Sequence, residues 1–189
     1  IEQRAASFGY TAIVCNSNDD PEIERKQIEL LLSNRVDGLV IVPAKNSKIP
    51  QMNISNIPIV FINRKISGFD SVNVVLENKK VAYEAVEHSN RQHHLLQIAM
   101  VTGERTNYMT QERKEGYMQA LQDYGIKLED DLLVEGYSTF QGGVMAAKKL
   151  FSLNAPPDAI FIGGTTMMLG VLFQLKKMDI RCPGDVAII

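Results

Sequence analysis

The chain has 189 residues, of which 45% are hydrophobic, so it can bury one ordinary core or two small ones. A net charge of −2 with scattered lysines and arginines argues against a segment that itself grips a nucleic-acid backbone. No apolar stretch approaches the length of a membrane span, and no signal peptide is recognisable. Cys15 and Cys182 lie far apart in apolar contexts, which predicts buried thiols in a reducing compartment rather than a disulfide.

Short apolar runs recur along the chain, each after a polar or glycine-containing turn. The clearest is Leu39–Val42, which follows Asp37-Gly38 and is apolar at every position. A strand of this kind has to be covered on both faces, which is typical of a parallel sheet between helices. The predicted strands are Tyr10–Cys15, Leu39–Val42, Pro58–Ile62, Val72–Leu76, Gln97–Gly103, Leu132–Glu135 and Ala159–Gly163, with a last one near Asp185–Ile189.

Segments with helical periodicity alternate with these strands. Asp20-Pro21 is typical of a helix start, because aspartate caps the first amides and proline fits the first helical position. The predicted helices are the turn before Gly9, Glu22–Asn34, a short weak one at Lys48–Asn56, Asn78–Asn90, Gln111–Tyr124, Phe140–Leu153 and Thr165–Met178.

The alternation predicts an α/β fold with two doubly wound parallel-sheet lobes. The apolar stripe of the preceding helix is lost at Arg91–His94, which predicts a hinge there. The expected domains are residues 1–93 and 94–189. We also expect the domain to be incomplete at both ends, since no strand precedes the first helix and the chain stops in or just after a strand.

Ligands in doubly wound folds bind beyond the carboxyl ends of the strands, so residues there are candidates for contacts in a cleft between the lobes. Arg64 follows one strand and offers a fork of donors; an ion pair or a bond to a loop carbonyl is the equal alternative. Glu77-Asn78 opens a helix and is otherwise read as its cap. The other candidates from the same argument are Asn63, Thr106, Tyr108, Arg113, Gly164 and Thr165.

Catalytic and metal-binding patterns are missing from the sequence. There is no phosphate loop, dinucleotide fingerprint or serine elbow, so an enzyme is not expected and no cofactor is predicted. His88, His93 and His94 cluster at the predicted hinge, but their spacing does not match a zinc site. Solvated surface histidines are the preferred interpretation.

Four segments, in this order and spacing, resemble the effector-binding core of the lactose-repressor (LacI/GalR) family. They are DPEIERKQIELLLSNRVDGLVIVPA, IPIVFINRKISGFDSVNVVLEN, MVTGERTNYMTQERKEGYMQAL and PPDAIFIGGTTMMLGVLFQLKKMDIRCPGDVAII, nearly the whole chain. The resemblance implies a periplasmic-binding-protein-like type I fold. It also implies a homodimer whose helix-turn-helix headpiece, absent from this chain, binds operator DNA in response to a small effector.

The resemblance also implies site residues. Arg113, three residues before Gly116, matches the family's effector-gripping arginine, while Asn63-Arg64 matches its Asp-Arg and Glu77-Asn78 its Asp-Asn. Two positions depart from the pattern. Gly164-Thr165 replaces the usual Asn-Asp, and the usual aromatic is replaced by Ser138, which Tyr137 and Phe140 flank. These departures leave the effector's identity open, and a sugar or a sugar derivative is expected.

The expected function is the ligand-sensing domain of a cytoplasmic bacterial transcription repressor, with no membrane partner. The alternative is a periplasmic sugar-binding protein of a transporter, which shares the fold. We expect Arg113 to face Asn63 or Arg64 across the cleft, and its removal to change fold stability little. Apolar side chains not needed by the sheets are candidate dimer contacts, namely Ile1, Ala5, Phe8, Ile28 and Leu31.

Overall fold

The computed structural model describes residues 1–47, 49, 57–64, 66, 68–69, 71–93 and 95–189. The chain divides into two compact units, Ile1–Leu76 and Glu77–Ile189. Each unit contains one parallel sheet, as the apolar runs predict. The predicted helix Lys48–Asn56 falls on residues of which only Ile49 is described. Within the described ranges, no helix is long and apolar enough to cross a membrane.

The first unit packs a capped helix against a three-stranded sheet. The strands lie in the order β1-β2-β3, with Leu39 paired to Ile59 and Val60 to Val72. Ile28 is buried in the core of this unit, so it is not an available dimer contact. The elements are α1 (Glu2–Ala6), α2 (Pro21–Ser33), β1 (Leu39–Ile41), β2 (Ile59–Ile62) and β3 (Val72–Val74).

The predicted strand Tyr10–Cys15 is wrong. Within the described residues this segment pairs with no other, and Ile13 and Val14 are 61% and 85% exposed. An apolar run becomes a strand only where a neighbouring strand takes up its backbone hydrogen bonds, which the run itself does not supply. Cys15 is exposed with the rest of the segment, and Cys182 is exposed as well, which corrects the prediction of buried thiols.

The start of α2 confirms the predicted cap. The carboxylate of Asp20 accepts hydrogen bonds from the amides of Glu22 at 2.8 Å and Ile23 at 3.0 Å, and Pro21 occupies the first helical position. We expect Asp20→Ala to lower the free energy of unfolding by about 1 kcal/mol, because two first-turn amides lose their acceptor. Asp20→Asn keeps an acceptor and should lose much less. Urea unfolding of the three proteins checks this, and equal midpoints for wild type and Asp20→Ala would contradict it.

The second unit is a four-stranded parallel sheet between two pairs of helices. The strand order is β5-β4-β6-β7. Every residue of β4 and β6 is buried, as expected for strands that helices cover on both faces. The elements are α3 (Asn78–His93), β4 (Ile98–Thr102), α4 (Tyr108–Asp123), a short 3-10 turn (Asp130–Leu132), β5 (Leu133–Glu135), α5 (Phe140–Leu150), β6 (Ala159–Ile162), α6 (Thr165–Lys177) and β7 (Ala187–Ile188).

Alternate residues of the central strands enter two different cores. Ile98 and Met100 of β4 belong to the core formed with α3 and α4. Ala99 and Val101 belong to the core formed with α5 and α6. This alternation follows from the two-residue period of a strand. Because β4, β5 and β6 pair in parallel, their carboxyl ends lie at one edge of the sheet, where the candidate residues of this unit follow them.

The boundary between the units differs from the predicted hinge at Arg91–His94. It lies at Leu76–Glu77, so α3 belongs to the second unit and the expected domains 1–93 and 94–189 are corrected. The reason is the packing of α3, whose Ala82 and Val86 are fully buried in the core shared with α4. The sequence places an end of the apolar stripe at Arg91–His94, but this is the end of the helix and not the end of the unit.

Candidate ligand-binding site

Three loops converge at the carboxyl edge of the second unit's sheet, and a glycine begins each of them. The Gly163 amide donates to the Val101 carbonyl at 2.9 Å, and the Gly136 amide donates to the Thr102 carbonyl at 2.7 Å. A Cβ on Gly103 would lie 2.8 Å from both the Ser138 and the Thr110 hydroxyl oxygens. Glycine at position 103 therefore lets the hydroxyl groups of Ser138 and Thr110 approach the end of β4 closely.

Arg113, on α4, lies at this edge and is already fixed. Its Nε donates to Asn78 Oδ1 at 2.9 Å, and its Nη1 donates to the Gly163 carbonyl. The side chain is half-buried, and burial lowers the pKa of its guanidinium. The arginine thus joins the start of α3 to the end of β6. The expectation that it faces Asn63 or Arg64 concerns two separate units and stays a prediction.

Asn78 is held on its other side by Glu112, which the sequence analysis did not single out. The Asn78 side-chain amide donates to Glu112 Oε2 at 3.2 Å, and the Tyr108 hydroxyl donates to Glu112 Oε1. That hydrogen bond raises the pKa of Tyr108. Because Asn78 is only 2% exposed, these partners set which way its amide faces. The signal available in the sequence was the position of Glu112, beside Arg113 and one helical turn after Tyr108.

A surface pocket of about 440 Å³ adjoins this network. It lies at the start of α3, with Glu77 and Asn78 on its wall. Glu77 itself is exposed, and its nearest charged partner is Lys80 at 3.9 Å. The residues that line the pocket are Glu77, Asn78, Lys79, Lys80, Tyr83 and Glu112.

The loop after β5 has unusual backbone geometry. Tyr137 and Ser138 both adopt left-handed φ angles, 53° and 56°, which non-glycine residues rarely do in succession. Thr139 then caps α5 by accepting from the Gly142 amide at 2.9 Å. Tyr137 stays exposed, whereas the Phe140 ring packs against Phe173 of α6 at 5.5 Å between centroids. Ser138, by contrast, lies beside Gly103 at the strand ends.

The remaining predicted ligand-binding residues of this unit, Gly164, Thr165 and Thr106, make few side-chain contacts. Gly164 precedes α6 and provides no side-chain cap, and the first turn carries no acidic residue. Thr165 is exposed there, and Thr106 is exposed in the loop before α4. The helix α4 begins at Tyr108, earlier than the predicted Gln111, because the Asn107 side chain accepts from the Met109 amide at 2.9 Å.

Arg64 forms hydrogen bonds with other residues of the first unit. Its Nη1 donates to Asp19 Oδ1 at 2.6 Å and to the Pro43 carbonyl at 2.5 Å. This is the alternative that the sequence left open, so a role for Arg64 in ligand binding stays a prediction. Asn63 is exposed and has a φ angle of 66°. Its backbone amide donates to the Val74 carbonyl at 2.9 Å.

A buried carboxylate on α2 fixes the loop after β1. Glu24, 5% exposed, accepts from the Ala44 amide at 2.6 Å and from the Ser47 hydroxyl. The sequence gives no signal for the burial of Glu24, since a charged side chain on a helix is ordinarily solvated. In the part of the chain that the structure describes, no group of three potential metal ligands is found.

Comparisons with known proteins agree with this architecture. The family described as periplasmic binding proteins and sugar binding domain of LacI family matches residues 1–189. The HTH-type transcriptional repressor CytR of Escherichia coli K12 is 29% identical over 193 residues, covering 100% of this chain and 56% of the relative. Catabolite control protein A of Priestia megaterium is 28% identical over 192 residues, covering 100% and 58%. The chain thus spans little more than half the length of these relatives.

The fold also matches solved structures. The transcription regulator CcpA of Lactococcus lactis superposes with a TM-score of 0.81 at 24% identity, over 97% of this chain and 68% of that one. At this identity the likeness shows the fold alone, whereas the family match covers every residue of the chain. The chain belongs to the family of periplasmic binding proteins and sugar-binding domains of LacI-type regulators.

Proposed function

We propose that this chain is the effector-sensing part of a bacterial LacI-type transcription repressor. A small sugar or sugar derivative binds at the carboxyl edge of the second unit's sheet. Its binding changes the operator affinity of a helix-turn-helix headpiece. The family match over residues 1–189 and the repressors among the relatives support the proposal.

The fixed position of Arg113 is the observation that carries the proposal. Asn78 and the Gly163 carbonyl hold the guanidinium before any ligand arrives. A ligand then finds donors whose orientation has already been restricted, which reduces the entropy lost on binding. Ser138 and Thr110 lie at the same edge and would add hydroxyl partners. We include Tyr137, Gly164 and Thr165 in the proposed site because they follow the same strand ends.

The wider assignments follow from the family. We propose a homodimer, with exposed residues such as Phe8 among its candidate contacts, and a cytoplasmic location. A binding function without catalysis fits relatives that are repressors. Phe140 and Arg64 are weaker candidates for ligand contacts, because the first packs on Phe173 and the second is bound by Asp19.

Operator titration of the full-length protein tests the proposal. The operator is first selected from random DNA, and its affinity is then measured by fluorescence anisotropy with and without each member of a panel of sugars, nucleosides and their acidic derivatives. Binding at the two sites is linked, so a ligand that changes operator affinity must itself bind with changed affinity when operator is present. We expect at least one ligand to satisfy both measurements.

The alternative function gives a different result. A periplasmic sugar-binding protein would bind its sugar but select no DNA sequence. Sugar binding without any operator would therefore contradict a repressor and support the transporter assignment. Operator binding that no panel member changes would contradict the effector-sensing role.

A further inference from the structure

Arg113 is a half-buried cation whose partners within its unit are both neutral. Its hydrogen bonds go to an amide oxygen of Asn78 and to a backbone carbonyl of Gly163. Across the described residues Arg113 forms no ion pair, although arginines elsewhere in the chain do, such as Arg25 with Glu29 at 2.7 Å. Its positive charge is thus positioned but not neutralised by a carboxylate in contact with it.

The neighbouring acids are occupied elsewhere. Glu112 receives hydrogen bonds from Asn78 and Tyr108. Glu135, at the end of β5, accepts from the Arg105 amide at 3.2 Å and lies 3.3 Å from its Nε. In the described structure both carboxylates bind these other donors, and neither forms an ion pair with Arg113.

Burying a cation without a counter-ion costs free energy, and an arginine stays charged at physiological pH rather than releasing its proton. Burial lowers the pKa of Arg113, with no opposing charge acting to raise it. A guanidinium has five N–H donors. Two of them have partners in the described structure, which leaves three for a ligand. The site therefore has both a charge to neutralise and donors to satisfy.

We propose that the effector presents an anionic group, a carboxylate or a phosphate, to Arg113. This inference rests on the proposed function and gives its ligand a chemical class. An anion would neutralise the guanidinium and accept its remaining donors in paired, charge-assisted hydrogen bonds. The amides that begin α6 lie next to Gly163 and have no side-chain cap or acidic neighbour in the first turn, so they add favourable potential for negative charge.

Matched neutral and anionic ligands test the proposal on the full-length protein. The pairs are galactose with galacturonate and glucose with glucose 6-phosphate, with inorganic phosphate as a minimal anion, all in a buffer free of phosphate. Thermal unfolding gives the stabilisation by each ligand, and calorimetry gives the affinity. We expect at least one anionic member to bind about tenfold or more tightly than its neutral partner. This preference should weaken with added salt and disappear in Arg113→Ala.

Arg91→Ala is the matched control, because it also removes one positive charge but lies in an exposed ion pair with Glu87 on α3. It should keep the preference for the anionic member. Arg113→Lys keeps a charge and guards against a folding defect in the alanine variant. Anionic ligands that bind equally to Arg113→Ala and wild type, or that fail to stabilise the protein at millimolar concentration, would overturn the proposal.

Two further outcomes separate this inference from the proposed function. Neutral ligands that bind as tightly as their anionic partners, change operator affinity and still depend on Arg113 would overturn the anionic class while leaving the sensing function intact. Failure of every ligand to change operator affinity, with anion binding at Arg113 retained, would contradict the sensing function but not the anionic site.

Discussion

Arg113→Ala is expected to weaken effector binding by about 1.5–3 kcal/mol, or roughly ten- to a hundredfold. This is the range for losing hydrogen bonds that involve a charged group. Asn78 and Gly163 hold the guanidinium in place before the ligand binds. The substitution therefore removes hydrogen-bond donors to the ligand, and it recovers no entropy that wild type would lose in ordering this side chain. Isothermal titration of wild type and variant measures the change. Equal affinities would remove Arg113 from the proposed site.

The same substitution should also lower fold stability, contrary to the expectation from the sequence. Removing the guanidinium removes the hydrogen bonds that it donates to the Asn78 amide oxygen and to the Gly163 carbonyl. We therefore expect the free energy of unfolding to fall by about 1 kcal/mol. Urea unfolding distinguishes this modest loss from global misfolding, and Arg91→Ala on the exposed face of α3 should change neither quantity appreciably.

Gly116→Ala should produce the largest loss of stability, about 3 kcal/mol or more. A Cβ at this position would lie 2.0 Å from the Lys79 carbonyl oxygen, 2.8 Å from its carbon and 3.1 Å from Ala82 Cβ. Two of these three atoms are backbone, so α3 and α4 would have to separate. Fully buried side chains on both helices, including Val86 and Tyr117, would then lose their packing.

The direction of the stability change in Gly116→Ala distinguishes close packing of α3 on α4 from an ordinary helix position. Alanine in an ordinary helix interior stabilises by about 1 kcal/mol relative to glycine, so a helix without this close contact would gain stability. Gln119→Ala, on the exposed side of α4, is the control and should change stability by less than about 0.5 kcal/mol. Thermal and urea unfolding check both variants. An unchanged or raised midpoint for Gly116→Ala would contradict the helix packing described here.

Sequence patterns predicted the second unit well because its central strands are buried on both faces. Ile98–Val101 and Ala159–Ile162 are continuous apolar runs between helical segments, a pattern typical of strands that are buried in a parallel sheet. The run at Tyr10–Cys15 has the same composition, yet it forms no strand within the described residues. Composition reports that a segment is suited to a sheet, whereas pairing depends on which other segments lie beside it.

The division of the chain was predicted less well for a related reason. The end of a helical stripe at Arg91–His94 is a local feature, while the limits of a compact unit depend on tertiary contacts. Ala82 and Val86 face α4, and their partners Tyr117 and Ala120 come more than thirty residues later. A periodic pattern shows that α3 has a buried face, but it does not show which helix covers that face.

The candidate site shows what strand ends can and cannot predict. Topology predicts that Arg113 lies on the helix that follows β4, and it lies there in the second turn of α4. Its partners do not follow, because the Gly163 carbonyl belongs to the backbone and the role of Asn78 depends on how α3 packs. Glu112 accepts hydrogen bonds from Asn78 and Tyr108, and the Phe140 ring of α5 packs on Phe173 of α6. Such contacts are set by side-chain packing rather than by spacing.

A crystal structure of the protein with its bound effector would test the central claim most directly. The account predicts a ligand oxygen about 2.7–3.2 Å from the Arg113 guanidinium nitrogens, at the carboxyl edge of β4, β5 and β6. The hydrogen bonds from Arg113 to Asn78 and Gly163 should remain in place. An effector bound elsewhere, with Arg113 making no contact to it, would contradict the account.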